Sequence, residues 1–260
     1  MSPREHVVRT EAIVLRRRSW GEADRILTLF SPQRGKFRAK AVGIRKPRSR
    51  KAGHLELFMR SMLLVAHGRE LDIITQAETL AAYRPLRDDL LRSAAASYVV
   101  EMLDRFSPDE AGGPAAYALL CETLERLCVV PAPDVVLRFY DLRLLEIMGY
   151  RPQLHTCVVG TETIVAEDQH FNPGLGGVVC PRCAKLTLEC LPLSLPALKV
   201  MRHLQREALA AVVDLTIRPG VLIEVEMLLR QYTQFHLERP IRSADFLHEV
   251  AAHRPATRAS

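Results

Sequence analysis

The sequence predicts a multidomain chain: a small N-terminal β-barrel followed by an all-α domain that carries an inserted cysteine-rich module. Three observations predict it. Over the first 80 residues apolar positions alternate with a period of two. Beyond them they recur at three and four. Within the helical part, one stretch shows neither period and holds four of the six cysteines. A chain of 260 residues with 48% hydrophobic and 25% charged residues can bury several cores, which excludes wholesale disorder. No run of 18 apolar residues predicts a membrane-spanning helix. Met1 to Thr10 lacks the apolar core of a secretory signal, so a cytoplasmic, thiol-reducing location is expected.

Residues 10–15 and 25–30 (RILTLF) read as strands, the second ended by Ser31-Pro32-Gln33-Arg34-Gly35, a turn by composition. Residues 36–42 (KFRAKAV) alternate basic side chains with Phe37, Ala39 and Ala41, which puts Lys36, Arg38 and Lys40 on one face. Residues 43–53 are a loop. Residues 55–66 form a long apolar strand, and 71–77 return beside it after His67-Gly68-Arg69. Five such strands, with a basic loop between the third and fourth, fit an OB-fold. After Tyr83-Arg84-Pro85, Leu86, Leu90, Leu91, Ala94, Tyr98, Met102 and Leu103 predict a helix over 86–106. Gly112-Gly113-Pro114 connects it to a helix over 115–128. A third helix, over 134–148, is stopped by Gly149. Helices resume at 194–213, with Ser194 as N-cap and Pro196 in the first turn, and at 221–237. The expected divisions are therefore 1–80 (barrel), 81–150 and 193–250 (helical domain), 151–192 (inserted module) and 251–260 (flexible tail).

Among the cysteines, Cys121 and Cys128 fall on one helix beside Leu120, Leu124 and Leu127 and read as core thiols. Cys180-Pro181-Arg182-Cys183 is a CxxC pair, a spacing that lets two thiolates hold one tetrahedral ion. Cys157 precedes it across a glycine-rich loop, and Cys190 offers a fourth thiolate, which makes 151–192 a zinc-finger-like module with a structural Zn2+. A redox pair and a loop that has lost its metal are the alternatives. His155 and His170 flank the segment.

The net charge of +6 is unevenly spread. Residues 1–80 hold 17 Lys+Arg against 8 Asp+Glu, and the rest of the chain is slightly acidic. Nine basic residues and no acidic one lie between Arg34 and Gly53. Such a concentration of charge suits a polyphosphate. The candidate nucleic-acid contacts are Lys36, Arg38, Lys40, Arg45, Lys46, Arg48, Arg50 and Lys51, with Arg17 and Arg25. Arg16 and Arg18 would extend the patch, and strand alternation would turn Arg17 away from them. Phe37, Phe58 and Trp20 are the stacking candidates. Arg239 and Arg242, after the last helix, are candidates for an acidic protein partner, and His236 for packing at that helix end. Neither a nuclease constellation nor a phosphate-binding glycine-lysine loop is present. No catalytic residue, small-molecule substrate or membrane partner is expected.

Several ordered segments carry a family resemblance. They begin with Gly21-Glu22-Ala23-Asp24-Arg25-Ile26-Leu27-Thr28-Leu29-Phe30, Gly43-Ile44-Arg45-Lys46-Pro47-Arg48-Ser49-Arg50 and Gly68-Arg69-Glu70-Leu71. Further on come Gly149-Tyr150, Pro152-Gln153-Leu154, Phe171-Asn172-Pro173, Cys180-Pro181-Arg182-Cys183 and His236-Leu237-Glu238. In order and spacing the chain resembles the bacterial RecO family of recombination mediators over essentially its full length. The resemblance implies an OB-fold, a helical domain with a zinc module, and no enzymatic turnover. It implies binding of single- and double-stranded DNA and annealing of complementary strands. It also implies work with RecR to load RecA onto strands coated by single-strand-binding protein, whose C-terminal tail meets the helical domain. One departure stands out. Zinc-bearing members have two CxxC pairs, whereas here Gly160 stands three positions beyond Cys157, leaving Cys190 as the nearest fourth thiolate. An RNA-binding protein, or an adaptor whose basic barrel docks an acidic protein, remains the rival reading.

Overall fold

The structure is a computed structural model that describes residues 7–111 and 113–253. It forms two compact units, Met1–Val129 with Ser243–Ser260, and Val130–Arg242.

The first unit is built on five strands: β1 (Val7–Trp20), β2 (Asp24–Ser31), β3 (Gly35–Ala41), β4 (Arg60–Ala66) and β5 (Asp72–Ala81). They close into a barrel of order β1-β2-β3-β5-β4, with β1 against β4 and β3 parallel to β5, which is the OB-fold arrangement. Inward positions of every strand fill it, among them Val14, Leu27, Leu29, Phe37, Leu63 and Ile74. Three strand boundaries differ from expectation by four residues or more, one of them the end of β5, at Ala81 instead of residue 77. β1 runs on through Arg16–Trp20 because these polar residues pair with β2, a gain that apolar alternation does not signal. β4 starts at Arg60: Leu55 plugs the core, and Phe58 takes the left-handed region (φ 69°), so the chain bends before it pairs.

Helices α1 (Pro85–Asp88), α2 (Leu90–Phe106) and α3 (Pro114–Leu127) follow. The single helix expected over 86–106 is broken at Asp89, which is extended and caps α2 by accepting from the Arg92 N–H at 2.8 Å. The α2–α3 pair covers one end of the outer face of β1 and β2. Ile13 and Phe30 are buried there, and a Cβ on Gly113 would sit 3.2 Å from the Phe30 ring. Gly112 of the expected connector lies outside the described residues.

The second unit begins with α4 (Asp134–Ile147). The expected irregular stretch then contains β6 (Gln169–Asn172), β7 (Gly177–Val179), the short α5 (Pro181–Ala184) and β8 (Leu191–Leu193), in sheet order β7-β6-β8. α6 (Leu195–Arg206), α7 (Leu209–Val212) and α8 (Pro219–Leu237) complete it. Ser194 caps α6, accepting from the Ala197 N–H at 3.3 Å. α6 ends at the extended Glu207 instead of running on to residue 213. α4, α6 and α8 pack on one another through buried Leu142, Leu145, Leu198, Met201, Val225 and Leu229.

A last helix, α9 (Arg242–Ala252), belongs to the first unit from Ser243 onward, where the Ser243 N–H donates to Glu101 at 2.8 Å. The expected flexible tail, 251–260, falls outside the described residues beyond His253. Among the described residues no helix is long and apolar enough to cross a membrane.

Candidate nucleic-acid interface and metal centre

A β-bulge decides which basic residues share a face. The register of β1 against β2 slips between Val14 and Arg16, so Leu15 is the extra residue. Before it, Ala12 and Val14 point into the core. After it the phase inverts, and Arg16 pairs with Thr28 and Arg18 with Ile26 on the outer face. Across β2, Thr28 pairs with Arg38 and Ile26 with Lys40. Two transverse rows result, Arg16–Thr28–Arg38 and Arg18–Ile26–Lys40, each with a cation on either side of a small or apolar centre. Rows two residues apart are separated by about 6.6 Å.

The ten nucleic-acid candidates divide sharply. Arg17, turned inward by the bulge, and Arg25 both reach Glu56, the latter at 3.4 Å. Lys36 is largely buried between Asp104 (3.6 Å) and Asp109 (3.3 Å) and also donates to the Asp104 carbonyl. Lys40 pairs with Asp24 at 2.9 Å. Lys51 donates to the Ile74 carbonyl at 2.9 Å, and burial lowers its pKa. Arg38, Arg45, Lys46, Arg48 and Arg50 are exposed and form no ion pair among the described residues. Exposed Arg18 joins them on the open face, while Arg16, also exposed, reaches Asp104 at 3.1 Å.

The basic loop is anchored at its start. Asp24 accepts from the Gly43 N–H at 2.7 Å, and the Arg45 N–H donates to the Ala23 carbonyl at 2.9 Å. The Gly43 N–H and then Lys40 hold the Asp24 carboxyl below its ordinary range. Ile44 is sunk in the barrel core, so Arg45, Lys46, Arg48 and Arg50 project from a fixed base. Of the three stacking candidates, Phe37 and Phe58 are core residues, whereas Trp20 is 47% exposed at the end of β1.

The metal candidates lie in the second unit. Cys157 is brought to the CxxC pair by main-chain bonds to β7: the Val158 N–H donates to the Val178 carbonyl, and Val178 in turn to Gln153, both at 2.9 Å. Gly177 permits this approach, since a Cβ there would meet the Gln153 carbonyl at 2.5 Å. β7 then delivers Cys180 and Cys183. The Sγ atoms of Cys157, Cys180 and Cys183 and a carboxylate oxygen of Glu162 all lie within 4.8 Å of one another. Burial raises the Cys157 thiol, but N–H groups of Cys180, Gly160 and Val159 outweigh it and bring its pKa to about 7, which favours a thiolate. Glu162 enters through a tight turn in which Thr161 takes φ 62° and the Cys157 N–H donates to the Glu162 carbonyl at 2.8 Å.

Cys190 stands outside this group, and so do His155 and His170. The sheet explains it. β7 runs antiparallel to β6, so Cys180 follows the residue paired with His170. Cys190 precedes the residue paired with Phe171 and lies beside Asn172, its Sγ 3.8 Å from the amide nitrogen. The two cysteines therefore sit at opposite ends of β6. The set that the structure assembles suits a metal ion: three sulfurs and an oxygen are ligands of a zinc type, and Glu162 Oε2 is buried without a hydrogen-bond partner.

Arg239 is exposed in the turn after α8, where Glu238 is left-handed (φ 54°), and exposed Arg242 opens α9. His236 stacks among Tyr150, Tyr232 and Phe235, with centroids 4.4–5.5 Å away, and burial lowers its pKa, which favours packing in the neutral form. Sequence reasoning missed Glu162. The available signal was an acid two positions after the glycine that stands where a cysteine was expected.

Comparison with known proteins covers both units. The family model "Recombination protein O N terminal" matches residues 1–83, and "Recombination protein O C terminal" matches residues 87–245. A DNA repair protein RecO of Roseiflexus sp. (strain RS-1) is 44% identical over 247 residues, spanning 95% of this chain and 87% of the relative. One from Dehalococcoides mccartyi (strain ATCC BAA-2266 / KCTC 15142 / 195) is 36% identical across 90% of this chain and 92% of its own. One from Desulforudis audaxviator (strain MP104C) is 36% identical across 93% and 96%. With both family models matched in order along a closed barrel and the helical part that follows, the chain belongs to the RecO family of DNA repair proteins.

Proposed function

We propose that this chain is a non-catalytic recombination mediator of the cytoplasm. It binds single- and double-stranded DNA on its barrel, anneals complementary strands and, with RecR, assists the loading of RecA onto strands coated by single-strand-binding protein. Arg239 and Arg242 are its contacts for an acidic partner segment. The observation that carries the reading is the exposed cation set: Arg38 and Arg18 on the open face, and Arg45, Lys46, Arg48 and Arg50 on the anchored loop beside it. Annealing needs two phosphate chains to approach, and displacing their condensed counterions lowers that cost. These are phosphate contacts, which position a strand without reading its sequence. Trp20 offers one stacking surface.

The ion of the Cys157–Cys180–Cys183 centre is Zn2+ on this reading. It would tie the segments before β6 and after β7 together and supplies structure, not chemistry. The test is strand annealing by the full chain with Arg45, Arg48 and Arg50 replaced by Glu. Annealing should be lost with the fold retained. Unchanged annealing rejects the site, and equal or tighter binding of RNA of the same sequence favours an RNA-binding protein.

A further inference from the structure

The centre holds three cysteines, and the position where a fourth thiol is expected is Gly160. The space beside that glycine is already filled. A Cβ built on Gly160 would lie 2.1 Å from Glu162 Oε2 and 2.8 Å from its Cδ, so position 160 cannot carry a side chain while the Glu162 carboxylate stays where it is. The same oxygen is buried and has no hydrogen-bond partner, and a carboxylate oxygen of Glu162 lies within 4.8 Å of each of the three sulfurs. A carboxylate oxygen out of water without a partner is unfavourable unless a cation meets it. The other oxygen, Oε1, contacts the Arg182 guanidinium, supplied from inside the CxxC pair itself.

We propose that Glu162 is the fourth ligand of the metal centre through Oε2, and that positions 160 and 162 are alternative sources for one coordination place. The proposal rests on reading the centre as a metal site. Arg182 is then a positioning residue. It holds Oε1 and leaves Oε2 as the unpartnered oxygen to meet an ion, and it offsets part of the negative charge that three thiolates and a carboxylate leave around a divalent ion. The substitution is local: glutamate reaches back over two residues with its longer side chain to the place that a cysteine at 160 would serve directly.

The experiment uses the full chain, refolding controls by circular dichroism, and two probes, Zn2+ by chelator competition and Co2+ by absorption. The native chain should bind one equivalent, with a cobalt-thiolate charge-transfer band of three-sulfur intensity. Glu162→Ala should weaken affinity by at least about tenfold, and Cys190→Ser should leave it unchanged. Gly160→Cys alone should disturb the site, because its Cβ and the carboxylate compete. Gly160→Cys with Glu162→Ala should restore one equivalent, with tighter binding and a more intense, four-sulfur band. Arg182→Gln should weaken affinity with the three-sulfur band retained. Native affinity in Glu162→Ala, or a four-sulfur band in the native chain that Cys190→Ser reduces, overturns the Glu162 assignment while leaving the metal reading intact. A native chain that takes up neither ion, with Cys180→Ser indistinguishable from it, sinks both.

Discussion

Replacing Arg38, Arg45, Arg48 and Arg50 together by glutamine removes four exposed guanidinium groups without touching an ion pair of the barrel. Replacing Arg17, Arg25, Lys36 and Lys40 removes the same number of charges from groups that already face Glu56, Asp104, Asp109 or Asp24. Both variants fall from a net charge of +6 to +2, so long-range attraction is matched and only local availability differs. Each cation that neutralises a phosphate of a single strand contributes about 0.7 to the slope of log affinity against log salt. The first variant should lose about 3 units of slope. Between about 50 and 200 mM salt, the native chain should then lose roughly 50-fold more affinity than the variant does. The second variant should lose less than about 1 unit, because the cations it removes already face carboxylates, neutralise few phosphates and so release few of the strand's condensed counterions. Fluorescence anisotropy with a labelled oligonucleotide across a salt series measures both, with thermal melts to confirm folding. Equal slopes for the two variants would refute the division of the basic residues into engaged and available sets.

Two further expectations concern the stability of the barrel. Glu11 accepts from Arg60 at 2.5 Å and from buried Tyr117 at 2.6 Å, so Glu11→Gln should cost about 1–3 kcal/mol, measured by chemical denaturation. Arg60→Gln in the same background should then cost less than it does alone, since only its longer pair with Glu125, at 3.9 Å, is left to lose. Acid should weaken the same unit. Burial raises the carboxyls of Glu11 and Asp72, but hydrogen bonds from Tyr117 and Arg60, and from Arg34 and His67, outweigh it and hold both below their ordinary values of 4.5 and 3.8. A depressed carboxyl stabilises the fold fully above its unfolded value and loses that contribution as pH falls through its folded value. Melting temperature should therefore be level above about pH 5 and drop below about pH 4, a drop that Asp72→Asn should lessen.

The barrel is legible in the sequence because period two and turn chemistry are local signals. β2 and β3 begin and end close to where Gly35 and the alternating Phe37, Ala39 and Ala41 place them. The bulge at Leu15 is not legible, since one extra residue in a strand leaves no mark in composition. Yet it decides which of three adjacent arginines faces outward. Composition likewise shows which residues are basic, but not which are neutralised. Asp104 and Asp109 lie about 70 residues from Lys36 in sequence and meet it only after the helices dock. Cys190 was the natural fourth thiolate by spacing. Its exclusion follows from the pairing of β8 with β6, a non-local fact. The break at Asp89 and the helix α9 were within reach: an acid before Leu90 is an N-cap signal, and Phe246, Leu247 and Val250 after Pro240 form a short apolar stripe.

The return of α9 to the first unit has a bearing on how the chain is made. Residues 130–242 are inserted between two parts of one compact unit. On a ribosome adding about 5–20 residues per second, Glu101 waits on the order of ten seconds for Ser243, the backbone partner that it holds in the finished fold. During that interval the barrel and α2 are out, but the helix that completes their unit is not. The inserted unit meanwhile emerges with its thiols and can form on its own schedule. Completion of the first unit thus waits on residues that follow the inserted one, and a chain cut short inside the inserted unit would carry the basic face on a scaffold lacking α9.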